Sequence, residues 1–334
     1  MNKTKFIYFC AAATLLLCAA ACNKPSLSEV DPSPIPEMAT LTVGVSSGPA
    51  TKSTSITSED EAAVSNLQVL VFRTNGALDA YGTVDNASEL QISCTTGEKK
   101  VYAVVNAPSL AAISTEDALK ATSSLLADNT STAFEMIGST TVTLPHAGTV
   151  NIDVNRIVSK VVLKSVTKNF TSAALAAKTF TIDEIFITNV AGDINFGLTA
   201  APTVWFNQKA YASQQAAFTY DAPDVTVGST PYGTEHRFYA YPNPTSTSPD
   251  PEGGDTWSPR HTRLVLKTTL GTDIYYYPIT LPVLEPNKSY EINNLTITRP
   301  GSSDPDIPVS INDCTFSITV LPWTSVSVSE GTTI

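Results

Sequence analysis

The chain has 334 residues, enough for two domains of ordinary size, with 15% charged residues and a net charge of −11. Removing residues 1–21 takes away two lysines and no acid, leaving about −13, a balance that argues against a nucleic-acid binder, which needs a basic surface. Threonine, serine and β-branched residues abound, and 22 prolines punctuate many short alternating runs, the pattern of an all-β sandwich protein rather than a helical bundle.

The start of the chain sets a compartment. Lys3 and Lys5 precede the apolar run Phe6–Ala21, which has the length of a signal-peptide core and is short for a membrane span. The run ends in Leu17-Cys18-Ala19-Ala20-Ala21-Cys22, and small residues before a cysteine resemble a bacterial lipoprotein lipobox with Cys22 as the acylated residue. Ala19 departs from the larger aliphatic residue usual there, and cleavage after Ala21 as an ordinary secretory signal is the alternative. An acyl anchor would hold the chain at the outer membrane through its buried CH₂ groups. Residues 22–38 carry four prolines and no periodicity, and read as an extended linker.

Thr40–Val45 is the first expected strand, with Leu41, Val43 and Val45 on one face. A loop with Gly48-Pro49 and the cation Lys52 follows. Glu59–Ser65 suggests a short helical turn. Asn66–Arg73 is a strand with a buried look, ended by the hairpin signal Thr74-Asn75-Gly76-Ala77. Lys99–Asn106 is a central strand. Ser114 with Asp117 makes a capping pattern and predicts a helix over Thr115–Ala127. Thr140–Leu144 and Thr149–Val154 close a first domain, 39–155.

A fresh strand at Asn155–Val166 opens a second domain, 156–334, with Ile157, Val161 and Leu163 on one face and Lys160 and Lys164 on the other. Thr179–Asn189 repeats the pattern, and Ala200–Pro231 reads as an irregular surface excursion. Arg263–Leu270 and Ile274–Leu281 make a hairpin around Gly271-Thr272. Ser289–Thr298 is a strand with a bulge at Asn293-Asn294, where the apolar set changes parity. Near the C-terminus Cys314, Phe316, Ile318 and Val320 alternate with polar residues, which predicts one core-facing strand, broken at Pro322. After Trp323 comes a second extended piece with Val326 and Val328. It either returns to its own sheet or pairs with another molecule.

Catalytic and metal patterns are missing from the sequence. His146, His236 and His261 lie far apart, with no HExxH, no G-x-S-x-G, no P-loop and no dinucleotide fingerprint, so neither an enzyme nor a cofactor is expected. Asp250–Asp255 and Ser303–Asp306 lack the ligand spacing of a calcium loop and read as solvated acidic turns. Cys94 and Cys314 fit a disulfide in an oxidising compartment, or two small buried thiols. Trp205, Trp257, Trp323 and Tyr275-Tyr276-Tyr277 suit core packing, or sugar stacking in a surface glycan-binding lipoprotein.

Four stretches together carry a resemblance: Asn155–Val161, Tyr241-Pro242-Asn243-Pro244, the run YEINNLTITRPG over Tyr290–Gly301, and Ile318-Thr319-Val320 with Trp323. In this order they resemble the FimA-like fimbrillins, the lipoprotein-derived stalk subunits of type V pili. The resemblance implies two transthyretin-like β-sandwich domains with one short helix in the first. It implies cell adhesion through an extracellular fimbrium, and cleavage by an Arg/Lys-specific protease in the loop after the first strand. It further implies donor-strand exchange among identical or related pilin subunits. Carried onto this chain, cleavage falls after Lys52, leaving Ser53 first, with Lys where Arg is more usual; alone, Lys52 reads as a solvated loop lysine. The displaced strand is 39–51, with Leu41, Val43 and Val45 as anchors. The donor is Thr324–Ile334, with Val326, Val328 and Ile334 facing inward. An anchor or tip subunit is the nearest alternative to a stalk subunit.

Overall fold

The computed structural model describes residues 37–47, 60–211, 217–245, 257–310 and 313–323. Strand β1 spans Met38–Ser47, and a 3₁₀ turn at Asp60–Ala62 leads into β2, Asn66–Arg73. Strands β3 (Leu78–Asp85), β4 (Glu89–Thr95) and β5 (Gly97–Val105) follow. Helix α1 (Glu116–Ala121) precedes β6 (Ser123–Leu125), β7 (Met136–Leu144) and β8 (Ala147–Arg156). Strands β1–β5, β7 and β8 form a seven-stranded sheet in the order β3-β2-β5-β7-β8-β1-β4. It is joined between β7 and β8 only by the pairs Met136–Arg156 and Ile137–Asn155. Beyond them the sheet opens into two layers, β3-β2-β5-β7 and β8-β1-β4, facing across a core. The backbones pass so closely there that a Cβ on Gly138 would lie 2.3 Å from the Asp153 carbonyl oxygen, so only glycine fits.

The run NLQVLVFR has no simple alternation because both faces of β2 are covered. Leu67, Val69 and Val71 enter the core between the two layers, with Val101, Ala103 and Val105 of β5. Leu70 and Phe72, with Tyr102 and Val104, enter the larger core shared with the second half of the chain. The hairpin signal after β2 is a turn with Gly76 at φ +79°, a left-handed position that suits glycine.

The second half is built from β9 (Ser159–Leu163), β10 (Val166–Lys168), α2 (Ala173–Ala176) and β11 (Phe180–Thr188). Five two- or three-residue strands follow: β12 (Val190–Ala191), β13 (Asp193–Asn195), β14 (Trp205–Phe206), β15 (Tyr220–Asp221) and β16 (Val225–Thr226). The rest are β17 (His236–Ala240), β18 (Arg263–Leu270), β19 (Asp273–Thr280), β20 (Lys288–Ile292), β21 (Leu295–Ile297), β22 (Cys314–Thr315) and β23 (Ile318–Pro322). Sheets β17-β9-β20-β23, β15-β11-β18-β19 and β10-β21-β22 enclose the larger core. The all-β expectation is borne out.

Four local expectations are corrected. The helix ends at Ala121 rather than Ala127, and its N-cap is Thr115, whose hydroxyl accepts from Ala118 N at 3.1 Å. Beyond Thr122 the chain is drawn out to pair β6 with β13. A second short helix, α2, adds to the one expected. At Asn293-Asn294 there is a break rather than a bulge: β9 and β20 run parallel in one sheet, and their continuations β10 and β21 run parallel in another. Near the C-terminus Cys314 is buried, but Phe316 and Val320 are 39% and 47% exposed. Parity is lost because β22 pairs with β21 whereas β23 pairs with β20 as an edge strand.

Glu135 is fully buried, and neither carboxyl oxygen has a hydrogen-bond partner among the described residues. Burial pushes its pKa up from 4.5 to about 7, with the nearby Ser124 hydroxyl opposing the rise and Asp128 adding to it. Because the folded-state value lies above the unfolded one, this group favours folding below pH 4.5. That preference is lost as pH rises through about 7, a change of about 3 kcal/mol. Glu135→Gln should abolish this component, leaving the variant more stable than wild type at pH 8. Denaturant unfolding from pH 4.5 to pH 8 checks it.

Candidate assembly groove

Strand β1 is an interior strand. It pairs antiparallel with β4, matching Leu41 with Ile92 and Val43 with Leu90. It pairs parallel with β8, matching Leu41 with Gly148 and Val45 with Ile152. Thr40 N donates to His146 O at 2.9 Å and Val45 N to Ser88 O at 2.8 Å, extending the ladder at both edges. Among the described residues β4 has no strand partner other than β1. Taking β1 away would leave unpaired backbone groups on β4 and β8 alike.

Its alternation seats one face in the core. Ala39, Leu41 and Val43 are buried, Leu41 and Val43 completely, and Val45 is half-buried against the same cluster. They pack with Val69, Val71, Ile92, Cys94, Val101, Ile152 and Val154. The opposite face carries Thr40, Thr42 and Ser46, and the Ser46 hydroxyl donates to Asp153. The structure therefore brings Leu41, Val43 and Val45 together in one apolar seam between β4 and β8. Cys22, Lys52, Ser53, Val326, Val328 and Ile334 lie outside the described residues.

The other singled-out residues are engaged elsewhere. Cys94 and Cys314 are free and buried, Cys94 in the seam's core and Cys314 in the larger one. Burial pushes the Cys314 thiol up to about 12. His236 lies between Asp221, 2.7 Å from Nδ1, and the Tyr232 hydroxyl, 2.8 Å from Nε2. His146 is exposed beside Glu37. The acidic turn at Ser303–Asp306 sends Asp306 inward, where it pairs with Arg260 at 2.8 Å and with Arg263. Trp205 and Trp257 pack against each other, with ring centroids 5.3 Å apart. Tyr277 is buried, and its hydroxyl donates to Arg299 O.

Residues 39–184 match the family model described as the major fimbrial subunit protein, FimA. A Bacteroides eggerthii protein described in terms of cell adhesion shares the fold at 23% identity, covering 87% of this chain and 98% of its own, with a TM-score of 0.67. A Porphyromonas gingivalis fimbrilin shares it at 17% identity, over 87% and 99% of the two chains, with a TM-score of 0.64. A tip fimbrial protein of P. gingivalis with a C-terminal truncation does so at 13% identity, over 86% and 100%, with a TM-score of 0.51. Curated proteins gave no match. Residues 39–184 are thus FimA-like, the fold is shared with solved fimbrial and cell-adhesion proteins, and the matched family is one of structural subunits rather than enzymes.

Leu41→Ala should destabilise the chain by about 2–5 kcal/mol, because the neighbours on β4, β5 and β8 cannot collapse onto the cavity. Thr42→Ala, on the other face of the same strand, should cost about 1 kcal/mol or less. Thermal unfolding of the two variants measures the difference.

Proposed function

We propose that this chain is a stalk subunit of a cell-surface fimbrium that polymerises by strand exchange through the β1 seam. The observation that supports this best is the interior place of β1, laddered on both edges and anchored on one face. In the proposed cycle the precursor is held at the outer membrane through acylated Cys22. An Arg/Lys-specific protease then cuts after Lys52, releasing the lipid and β1 together and leaving Ser53 first. The C-terminal tail of a neighbouring subunit, Thr324–Ile334, enters between β4 and β8.

The chemistry of the two segments is compatible. Val326 and Val328 have the same two-residue spacing as Leu41 and Val43, and Ile334 keeps the same parity. Each seated side chain contributes about 1.5–3 kcal/mol, and each ladder hydrogen bond about 0.5–1.5 kcal/mol. Ordering a free tail opposes this at about 1–2 kcal/mol per residue, so affinity depends on how well the side chains seat. While β1 occupies its own seam, it competes within one chain against any incoming tail, which holds assembly back until cleavage. The contact is head-to-tail and does not close, so it builds a filament.

Lys52→Ala should hold the protein as a lipidated monomer. Deleting Thr324–Ile334 should leave a folded, cleavable subunit that cannot extend a filament. Val326→Asp should act alike by forcing a carboxylate into an apolar pocket. Ladders of high-mass species on mildly heated gels report assembly, and N-terminal sequencing reports the cut. A deletion variant that unfolds as a monomer would instead assign the tail to its own sheet, and normal polymerisation of Lys52→Ala would remove Lys52 as the switch.

A further inference from the structure

Arg156 ends β8, one wall of the seam, and Trp323 immediately precedes the tail Thr324–Ile334. The two meet in a buried cluster around Glu61. The Glu61 carboxylate accepts from Trp323 Nε1 and Lys160 Nζ, each at 2.9 Å on Oε2, and from the Tyr239 hydroxyl at 2.8 Å on Oε1. Arg156 Nε donates to the Glu61 carbonyl at 2.7 Å, and Arg156 Nη1 to the Trp323 carbonyl at 3.4 Å. The Arg156 guanidinium and the Lys160 ammonium lie 4.7 and 4.6 Å from the Trp323 ring centroid, and Tyr239 stacks on that ring at 22°. Trp323 N donates to Asn287 O at 2.9 Å. Glu61, Arg156 and Trp323 are each 3% exposed. Burial brings the Arg156 guanidinium down to about 10, so it stays charged at neutral pH.

Next to this cluster β23 is a weak support. Among the described residues it is an edge strand paired with β20 alone, and Val320 and Leu321 are 47% and 40% exposed. Pulled from its end, an edge strand opens one pair of bonds at a time. Trp323 lies between β23 and the tail, so a pull on the tail reaches the cluster first.

We propose that Glu61, Arg156 and Trp323 form a clasp that ties the root of the tail to the seam wall β8. Tension on the tail then passes into β8 and the strand seated beside it, and β23 is spared. Glu61 and Arg156 are positioning residues: they touch no incoming strand and act by fixing where the tail leaves the subunit. The clasp rests on the strand-exchange reading for its use in a filament, but not for its existence in the monomer.

The test combines hydrogen exchange on the full-length monomer with pulling on assembled filaments, for wild type, Trp323→Phe and Glu61→Gln. Trp323→Phe keeps a ring over Tyr239 and loses the indole donor, so it remains informative where Glu61→Gln, which neutralises the charge facing Lys160, fails to fold. Exchange at Leu321–Trp323 and at Asn155–Ile157 should rise together by about tenfold, the effect of losing one hydrogen bond to a charged group. Variant filaments should rupture at lower force. A synthetic Thr324–Ile334 peptide should bind the subunit cleaved after Lys52 as tightly in the variants as in wild type, because the seam is unchanged. Exchange rising on the Trp323 side alone, or an unchanged rupture force, overturns the clasp. Failure of the peptide to bind wild type defeats the strand-exchange reading instead, and the paired exchange change still decides whether the two ends are tied.

Discussion

The pair β2 and β5 serves two cores at once, and the architecture depends on that sharing. Leu67, Val69 and Val71 face the β8-β1-β4 layer, while Leu70 and Phe72 face the second half of the chain. Neighbouring residues thus belong to different clusters, and the strands are insulated from water on both sides. Such strands are expected to be the last to open, since local opening free energy follows buried contacts. A layer can be disturbed on one face while the other face keeps β2 and β5 in place. In the proposed exchange of β1, the loss would be confined to the smaller core.

The smaller core holds β1 firmly without calling on any unusual chemistry. Its stabilisation comes from a ladder on two edges and from Ala39, Leu41 and Val43 on one face. None of these contacts is specific to a side chain with unusual chemistry. Backbone ladders accept any extended segment, and the buried positions ask only for apolar groups of about the right volume at every second residue. A catalytic site would demand particular functional groups, whereas a strand seam demands only a pattern of alternation.

That pattern was legible where a strand has one wet and one dry face. β1, β8 and the hairpin of β18 and β19 could be placed from alternation and turn residues alone. Reading failed where partners lie far off in sequence. The helix after Thr115 is cut short by the pairing of Ser123–Leu125 with Asp193–Asn195. The parity of Cys314–Val320 fails because two different sheets claim its two ends. The acid at 306 reads as a solvated turn until Arg260 and Arg263 are seen on either side of it. Glu61 carries no local signal at all, since its side-chain partners Lys160, Tyr239 and Trp323 are 99, 178 and 262 residues away.

The cluster around Glu61 is an expensive arrangement for a chain with so few charges. Burying an ion pair is commonly no more stabilising than apolar packing of the same volume, because desolvation offsets the attraction. What apolar packing lacks is direction. A greasy Trp323 could slide or rotate at little cost, whereas an indole N–H held on a carboxylate, with a guanidinium on its carbonyl, has one seat. That seat fixes Trp323 relative to β8. In a head-to-tail polymer every subunit repeats the same joint, so a small error in exit direction accumulates along the filament. In the proposed head-to-tail filament, directional bonds at Trp323 would therefore serve regularity rather than stability.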